Sequence, residues 1–310
     1  MMQEPWFWRA QGARANAVAA ILSPLSALYD AARRARNAVT RTEQPPVPVI
    51  CIGNATLGGT GKPPFALMLA PLLAARGYRP YFLTRGFGGR LPGPLAVDPS
   101  VHSASEVGDE PLLLARVSPT IVARDRPAGA RLASELGADM IVMDDGFQNP
   151  AIAKTFSILL LDGADPGGRL FPAGPYREPL KDALTRADAV VSISDGAPAP
   201  LNSGKPSFSG HLASEVEGAG TRVVAFCGIA RPERFFAALR ARRFAITEER
   251  CFPDHHRFRA AEIEALRRLA EARNAQLITT AKDFVRLTPD LRDGVSVFPV
   301  ALRIDDPDRL

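Results

Sequence analysis

Cysteine, histidine and uninterrupted apolar sequence are all scarce in this 310-residue chain, and each scarcity removes a class of protein. The three cysteines, Cys51, Cys227 and Cys251, form no C-x-x-C spacing, so neither a disulfide framework nor a zinc site is expected, and a reducing compartment suits them. Free cysteines of this kind serve as small core residues. The apolar stretch from Ala17 to Tyr29 is interrupted by Ser23 and Pro24; it is too short to span a bilayer and weak as a signal-peptide core. Excess charge is confined to one segment. The net charge is +5, yet residues 1–41 hold six arginines against Glu4 and Asp30. The remainder is nearly neutral, which argues against a broad nucleic-acid surface and leaves one basic appendage. No solenoid-type repeat is visible.

What is present is the composition of a soluble globular protein, 46% hydrophobic and 23% charged, over a length that accommodates two domains. Short apolar runs alternate with helical patterns, which predicts an α/β chain with a parallel sheet. Strands are expected over 49–53, 79–84, 120–123, 140–143, 157–162 and 189–194, with helices after the first and over 112–116 and 127–136. A proline- and glycine-rich stretch, 195–207, reads as a loop or linker. A smaller α/β unit begins near Thr221, with strands over 223–226 and 276–279 and helices over 233–242 and 260–274. The division expected is an arm over 1–40, a first domain over 41–218 and a second over 219–310.

The organising stretch is the turn Gly58, Gly59, Thr60, Gly61, Lys62 between the first strand and a helix. Small residues let successive backbone N–H groups converge on phosphate oxygens at a helix start, and the lysine adds a mobile positive charge. The common G-x-x-x-x-G-K-[ST] pattern is missed at both ends, by Thr56 at the first glycine and by Pro63 at the hydroxyl position. The candidate nucleotide loop therefore runs from Thr56 and Leu57 to Pro63, with an ordinary glycine-rich turn as the competing reading.

The second signal is the strand over 140–143, ending in Asp144, Asp145, Gly146, Phe147 and Gln148. Adjacent carboxylates at a strand end are costly unless they meet a cation or solvent, and a cation there would be magnesium beside a nucleotide. Weaker signals are the basic glycine turn from Arg85 to Arg90, and Asp109 with Glu110 at a helix start, either a dipole effect or a base. Others are the proline-stiffened loop carrying Arg177 and Glu178, the His255–His256 pair beside Asp254, and the polar strand end from Thr280 to Asp283. Each has a plain structural reading as a cap, turn or solvated loop. In the arm, Trp6, Phe7 and Trp8 precede Leu22, Leu25 and Leu28 at helical spacing, which fits a helix lying in a membrane interface or one packed on the protein.

Taken in order, the segments 58–62, 85–89, 108–111, 144–148, 173–179 and 227–230, Asp254 with His255, and 280–283 resemble the tetraacyldisaccharide 4'-kinase family. The resemblance covers most of the chain, and its specificity lies in the order and spacing of the set. It implies a P-loop NTPase-like, mostly parallel sheet with a second, smaller α/β domain. It also implies ATP-dependent transfer of the γ-phosphate to the 4'-hydroxyl of a tetraacyldisaccharide 1-phosphate in lipid A biosynthesis, with peripheral membrane contact on the cytoplasmic face of a bacterial inner membrane and no nucleic-acid partner. By the same resemblance Lys62 contacts the β- and γ-phosphates of ATP, Asp144 or Asp145 organises Mg2+, and Asp109 accepts the sugar-hydroxyl proton in a dyad with His255. Arg177 and Glu178 lie near the lipid substrate, with Arg85 grouped beside them.

Two positions depart from the family pattern. Pro63 replaces the usual threonine, removing a hydroxyl and an amide while fitting a first helical turn, so that magnesium would depend more on the aspartates and Thr60. Asn149 stands where a histidine commonly follows D-D-G-F-Q. Two other functions compete: a nucleotide-binding regulatory protein of this fold whose catalysis Pro63 weakens, and a P-loop kinase of a soluble small metabolite whose arm packs on the protein.

Overall fold

Alanine and arginine dominate the first helix, α1 (Ala13–Val39), and both favour helix. Its buried residues, Ala15, Ala19, Ser26 and Arg33, lie on one face. Ser26 Oγ donates to Leu170 O at 2.9 Å, and Arg33 meets Glu178 at 3.4 Å and Asp182 at 3.1 Å. The opposite face carries Ile21, Leu25 and Leu28 into solvent, 76%, 53% and 66% exposed. One face of the arm helix thus packs on the protein, and the other is apolar and exposed. Leu22 is half-buried, so Ile21 takes its place in the exposed stripe. The computed structural model describes residues 5–8, 10, 12–58, 61–163, 168–194 and 204–306; Gly59, Thr60 and most of the expected linker lie outside them.

After α1 come β1 (Val49–Asn54), α2 (Lys62–Ala75), β2 (Pro80–Thr84), β3 (Leu95–Ala96), α3 (Ala104–Val107), α4 (Asp109–Leu114) and β4 (Thr120–Val122). Then follow α5 (Arg126–Glu135), β5 (Met140–Asp144), β6 (Phe156–Asp162), α6 (Leu180–Arg186), β7 (Ala189–Ile193) and β8 (Ser207–Ala213). The second unit holds β9 (Arg222–Cys227), α7 (Pro232–Ala241), β10 (Ala245–Cys251), α8 (Ala260–Ala272), β11 (Gln276–Thr280), α9 (Ala281–Phe284) and β12 (Val295–Phe298), and the chain then reaches β13 (Ala301–Ile304).

Among the described residues nine strands form the large sheet in the order β13-β8-β7-β6-β1-β5-β2-β4-β3, parallel throughout except for the antiparallel edges β13 and β3. Four parallel strands, β10-β9-β11-β12, form the second. The large sheet is apolar on both faces, as a covered parallel sheet must be. Cys51, Leu83, Met143 and Leu159 point into one core, while Ile52, Phe82, Val142 and Ile158 meet Phe65 and Leu69 of α2 on the other. Helix α2 continues through Pro71, which sits on its exposed side. Cys51 and Cys227 are buried as expected of core cysteines, and burial pushes the Cys51 thiol up to about 12; Cys251 is exposed.

The second sheet is built from strands between Arg222 and Phe298, and β13 returns to the large sheet to pair with β8. Polar strands such as β8, β10 and β13 lie at or next to sheet edges, where alternating or charged sequence leaves no apolar run to recognise. Ionic contacts join the two units. Asp162, at the end of β6, takes Arg231 and Arg234, and Asp109 takes Arg286.

Glu178 anchors α1. Its side chain is fully buried, and it accepts from Arg186 at 2.6 Å, Arg33 at 3.4 Å and Gln148 at 2.9 Å. Removing it takes the carboxylate from Arg186, Gln148 and one nitrogen of Arg33, a buried guanidinium that keeps Asp30 and Asp182. Glu178→Ala is expected to cost on the order of 3 kcal/mol, read as a lower urea midpoint, while an unchanged midpoint would remove Glu178 as the anchor.

Candidate active site

Parallel pairing of β1 with β5 sets Ile52 opposite Asp144, so the carboxylate stands beside the strand that feeds the glycine loop. The approach is close: a Cβ on Gly53 would lie 2.3 Å from Phe147 Cβ, so only glycine fits. Loop residues 55–57 are strapped to the segment 175–177. Leu57 N donates to Pro175 O, and Arg177 N to Ala55 O, each at 2.7 Å, and Thr56 bridges Tyr176. Gly61, with φ 77°, caps α2 in the left-handed region, and Lys62 is its first residue. Lys62 is buried, with Nζ 2.9 Å from Asn54 Oδ1 and 3.3 Å from Asp145 Oδ1. Pro63 occupies the first turn, where backbone N–H groups have no helical partner, and Phe65 N still reaches Gly61 O at 3.0 Å.

The two adjacent aspartates have opposite circumstances. Asp145 is held by a left-handed backbone, φ 51°, and pairs with Lys62 and with Arg177 Nη1 at 3.1 Å. Burial works to raise its pKa, but these two cations keep it at about 2. Asp144 is fully buried, and neither carboxylate oxygen has a hydrogen-bond partner among the described residues. Burial first, then the charges of Glu110 and Asp145, push it up to about 7 against the pull of Lys62 and Arg126. A buried carboxylate without partners suits a divalent cation. Among the described residues no three His, Cys, Asp or Glu side chains form a metal cage. A site built on one or two carboxylates and completed by ligand phosphates is the pattern of magnesium.

A second cluster lies where α4 begins. The turn 86–89 packs its backbone on Gly108: a Cβ on Gly108, whose φ is +94°, would lie 2.5 Å from Phe87 O. Gly86 and Gly89 of that turn thus serve a backbone contact that positions Asp109, the first residue of α4. Asp109 is 5% exposed. Its Oδ2 lies 3.0 Å from His255 Nδ1 and accepts from Arg286 Nε at 2.8 Å. Lys282 Nζ is 3.9 Å from the same oxygen and 3.4 Å from Glu110 Oε1. Burial works to raise the Asp109 pKa, yet His255, Lys282 and Arg286 hold it well below the ordinary carboxylate range. The histidine pair separates by role. His255 reaches Asp109 and touches the Phe87 ring at 5.6 Å, whereas His256 stacks on Phe252 at 4.8 Å and meets Glu262 at 2.9 Å.

Of the other expected residues, Arg177 is half-buried on Asp145, and Arg85 is exposed at the end of β2. Glu178 is buried beneath Arg33 and Arg186 and accepts from Gln148 Nε2. Asn149 serves its turn, accepting Ala151 N at 2.8 Å. Gly59 and Thr60 fall outside the described residues. Sequence reasoning missed Asn54, which holds Lys62, and Arg126, a buried arginine that burial brings down to about 10 while Asp144 and Asp145 oppose the fall. It also missed Arg286. Nothing near these three marks them, apart from Arg286 standing three residues beyond Asp283.

The fold is a P-loop NTPase-like α/β one with a large, mostly parallel sheet, and it gathers a buried lysine at a helix start, an acidic neighbouring strand end and a separate Asp–His pair. Residues 18–310 match the family model described as tetraacyldisaccharide-1-P 4'-kinase. The chain is 49% identical to the tetraacyldisaccharide 4'-kinase of Paramagnetospirillum magneticum, over 100% of this chain and 97% of that one. It is 47% identical to that of Rhodospirillum centenum, over 100% and 95%. A crystal structure of LpxK from Aquifex aeolicus, described as an apo form in complex with ATP, is similar with a TM-score of 0.79 and 30% identity, covering 94% of this chain and 96% of that one. The chain belongs to the tetraacyldisaccharide 4'-kinase family.

The Asp144 arrangement has a consequence for stability. Its folded pKa lies above its unfolded value of ~3.9, so the folded state binds the proton more tightly, and stability falls as pH rises from there to about 7. Asp144→Asn is expected to stabilise the ligand-free protein by on the order of 2 kcal/mol near pH ~8 and by little near pH ~4. Thermal melts at both pH values check this; equal gains at the two would refute it.

Proposed function

We propose that this protein is an ATP-dependent kinase of lipid A biosynthesis, transferring the γ-phosphate to the 4'-hydroxyl of a tetraacyldisaccharide 1-phosphate. The observation that carries this reading is the buried, ionised Asp109, paired with His255 across the two units on the strand-end side of the sheet that also bears Lys62 and Asp144. Family membership identifies the substrate class.

In this reading the loop amides and Lys62 take the β- and γ-phosphates, with Lys62 exchanging Asn54 and Asp145 for phosphate oxygens. Asp144, supported by Asp145, would hold Mg2+, which when bound neutralises charge on the phosphates. The loss of a hydroxyl and one amide at Pro63 leaves that role with the aspartates. Asp109 accepts the proton of the 4'-hydroxyl. That oxygen bonds to the γ-phosphorus as the bond to the β–γ bridging oxygen breaks, and ADP leaves with the electron pair. A strongly depressed carboxylate is a weak base, but a loose phosphoryl-transfer transition state asks more for positioning than for basicity. Arg177 and Arg85 are the candidates to meet the substrate's polar groups.

The exposed Ile21, Leu25 and Leu28, on a helix that also carries Arg34 and Arg36, support peripheral contact with the cytoplasmic face of the inner membrane. Among the described residues no helix is long and apolar enough to cross a membrane.

Asp109→Asn is expected to lower kcat by about 10²- to 10⁴-fold with ATP binding retained, measured by phosphate transfer to the acylated disaccharide with magnesium present. Full activity in that variant would remove the base. Replacing Ile21, Leu25 and Leu28 together by Ser should weaken co-sedimentation with anionic liposomes by at least about tenfold; unchanged sedimentation would favour a kinase of a soluble metabolite.

A further inference from the structure

The guanidinium of Arg286 is divided between the two units. Its side chain is 4% exposed and follows the short helix α9. On the second unit's side, Nη1 donates to Gly228 O at 2.6 Å and to Asp283 Oδ1 at 2.7 Å. Asp283 is itself fully buried, and it also accepts from Gly228 N at 3.1 Å and Thr280 Oγ1 at 2.7 Å. On the first unit's side, Nε and Nη2 both donate to Asp109 Oδ2, the oxygen that faces His255 Nδ1. Asp109 Oδ1 accepts the neighbouring amide of Glu110 at 3.0 Å.

The carboxylate is thus loaded unevenly. Oδ2 is crowded by two arginine N–H groups and the imidazole, with Lys282 behind them. Oδ1 keeps acceptor capacity after one amide. A planar fork anchored at its far nitrogen can hold a carboxylate in one rotation, which a single ammonium cannot do.

We propose that Arg286 is a positioning residue of the phosphoryl-transfer reaction: by occupying Oδ2 it turns Asp109 Oδ1 toward the acceptor hydroxyl and makes a correctly placed base depend on the seating of the second unit. This rests on the kinase function proposed above. The groups facing Asp109 are His255 from the loop after β10, Lys282 and Arg286 from and after α9, and Glu110 on its own helix. Loss of the Arg286 charge leaves Lys282, at 3.9 Å, as the remaining fixed cation beside Asp109.

The test uses the full chain and its Arg286→Gln and Arg286→Lys variants. kcat and KM for ATP are measured across pH with the acylated disaccharide, and the Asp109 carboxyl is followed by carbon-13 NMR, assigned with Asp109→Asn. In Arg286→Gln, kcat is expected to fall about 10- to 100-fold, with KM for ATP changed less than about threefold. The protonation of Asp109 should move up in pH, bringing an acid limb into the kcat profile. Arg286→Lys should restore most of the pH position but not kcat, because the charge returns without the fork. An unchanged kcat, or a lower kcat with the Asp109 titration unmoved, overturns the proposal. If the glutamine variant does not fold, the lysine variant and wild type decide: a wild-type Asp109 titrating in the ordinary range, near ~3.9, overturns it as well. An inactive wild-type protein would count against the kinase reading alone, since the NMR titrations of wild type and Arg286→Lys still judge Arg286.

Discussion

A carboxylate kept ionised out of water is the constraint around which the two halves of this protein are arranged. Desolvating such a charge costs several kcal/mol unless cations and hydrogen bonds replace the water. Asp109 is 5% exposed, and the groups that face it, His255, Lys282 and Arg286, come from the second unit. The first sheet supplies the acid through the glycine packing of Gly108 on the turn 86–89, and the second supplies its neutralisation. Neither half holds this group alone.

The same principle, with the opposite outcome, operates at the end of β5. Asp145 has its cations within the first unit, in Lys62 and Arg177, and is held at about 2. Asp144, one residue earlier, has none within hydrogen-bond reach among the described residues and is raised to about 7. Two identical side chains, adjacent in sequence, become a counter-ion and an open acceptor because Asp144 is the last residue of the strand and Asp145 turns away from it with a left-handed backbone. Such contrasts between neighbouring acids are common where charge must be handled in a reaction.

Much of the fold could be read before the structure, because apolar runs such as Val49–Asn54 and Met140–Asp144 are buried on both faces and have to be continuous. The glycine loop, the Asp144–Asp145 end, Asp109 and His255 were also legible, since each places unusual residue types at a strand or helix end. The partners of these groups were not. Asn54, Arg126 and Arg286 act through contacts across the fold, and an arginine destined for a buried fork is indistinguishable in sequence from one on the surface. Glu178 was singled out, yet it holds Gln148 and the first helix in place rather than facing solvent. The turn 86–89 shows the limit in another form: glycine reveals that something comes close, here the backbone at Gly108, but does not say what.

The return of β13 to the large sheet has a consequence for synthesis. The second sheet and its helices are spliced between β8 and β13, two strands that pair side by side. During vectorial synthesis β8 emerges long before its neighbour, and the entire second unit must be made first. Until then β8 presents an open edge, the kind of surface on which chains join wrongly. His211 and Gly210 in its middle make that waiting edge a poor template for apolar pairing, and a Cβ on Gly210 would lie 2.8 Å from Arg303 O, so the strand is shaped for the one partner that arrives last.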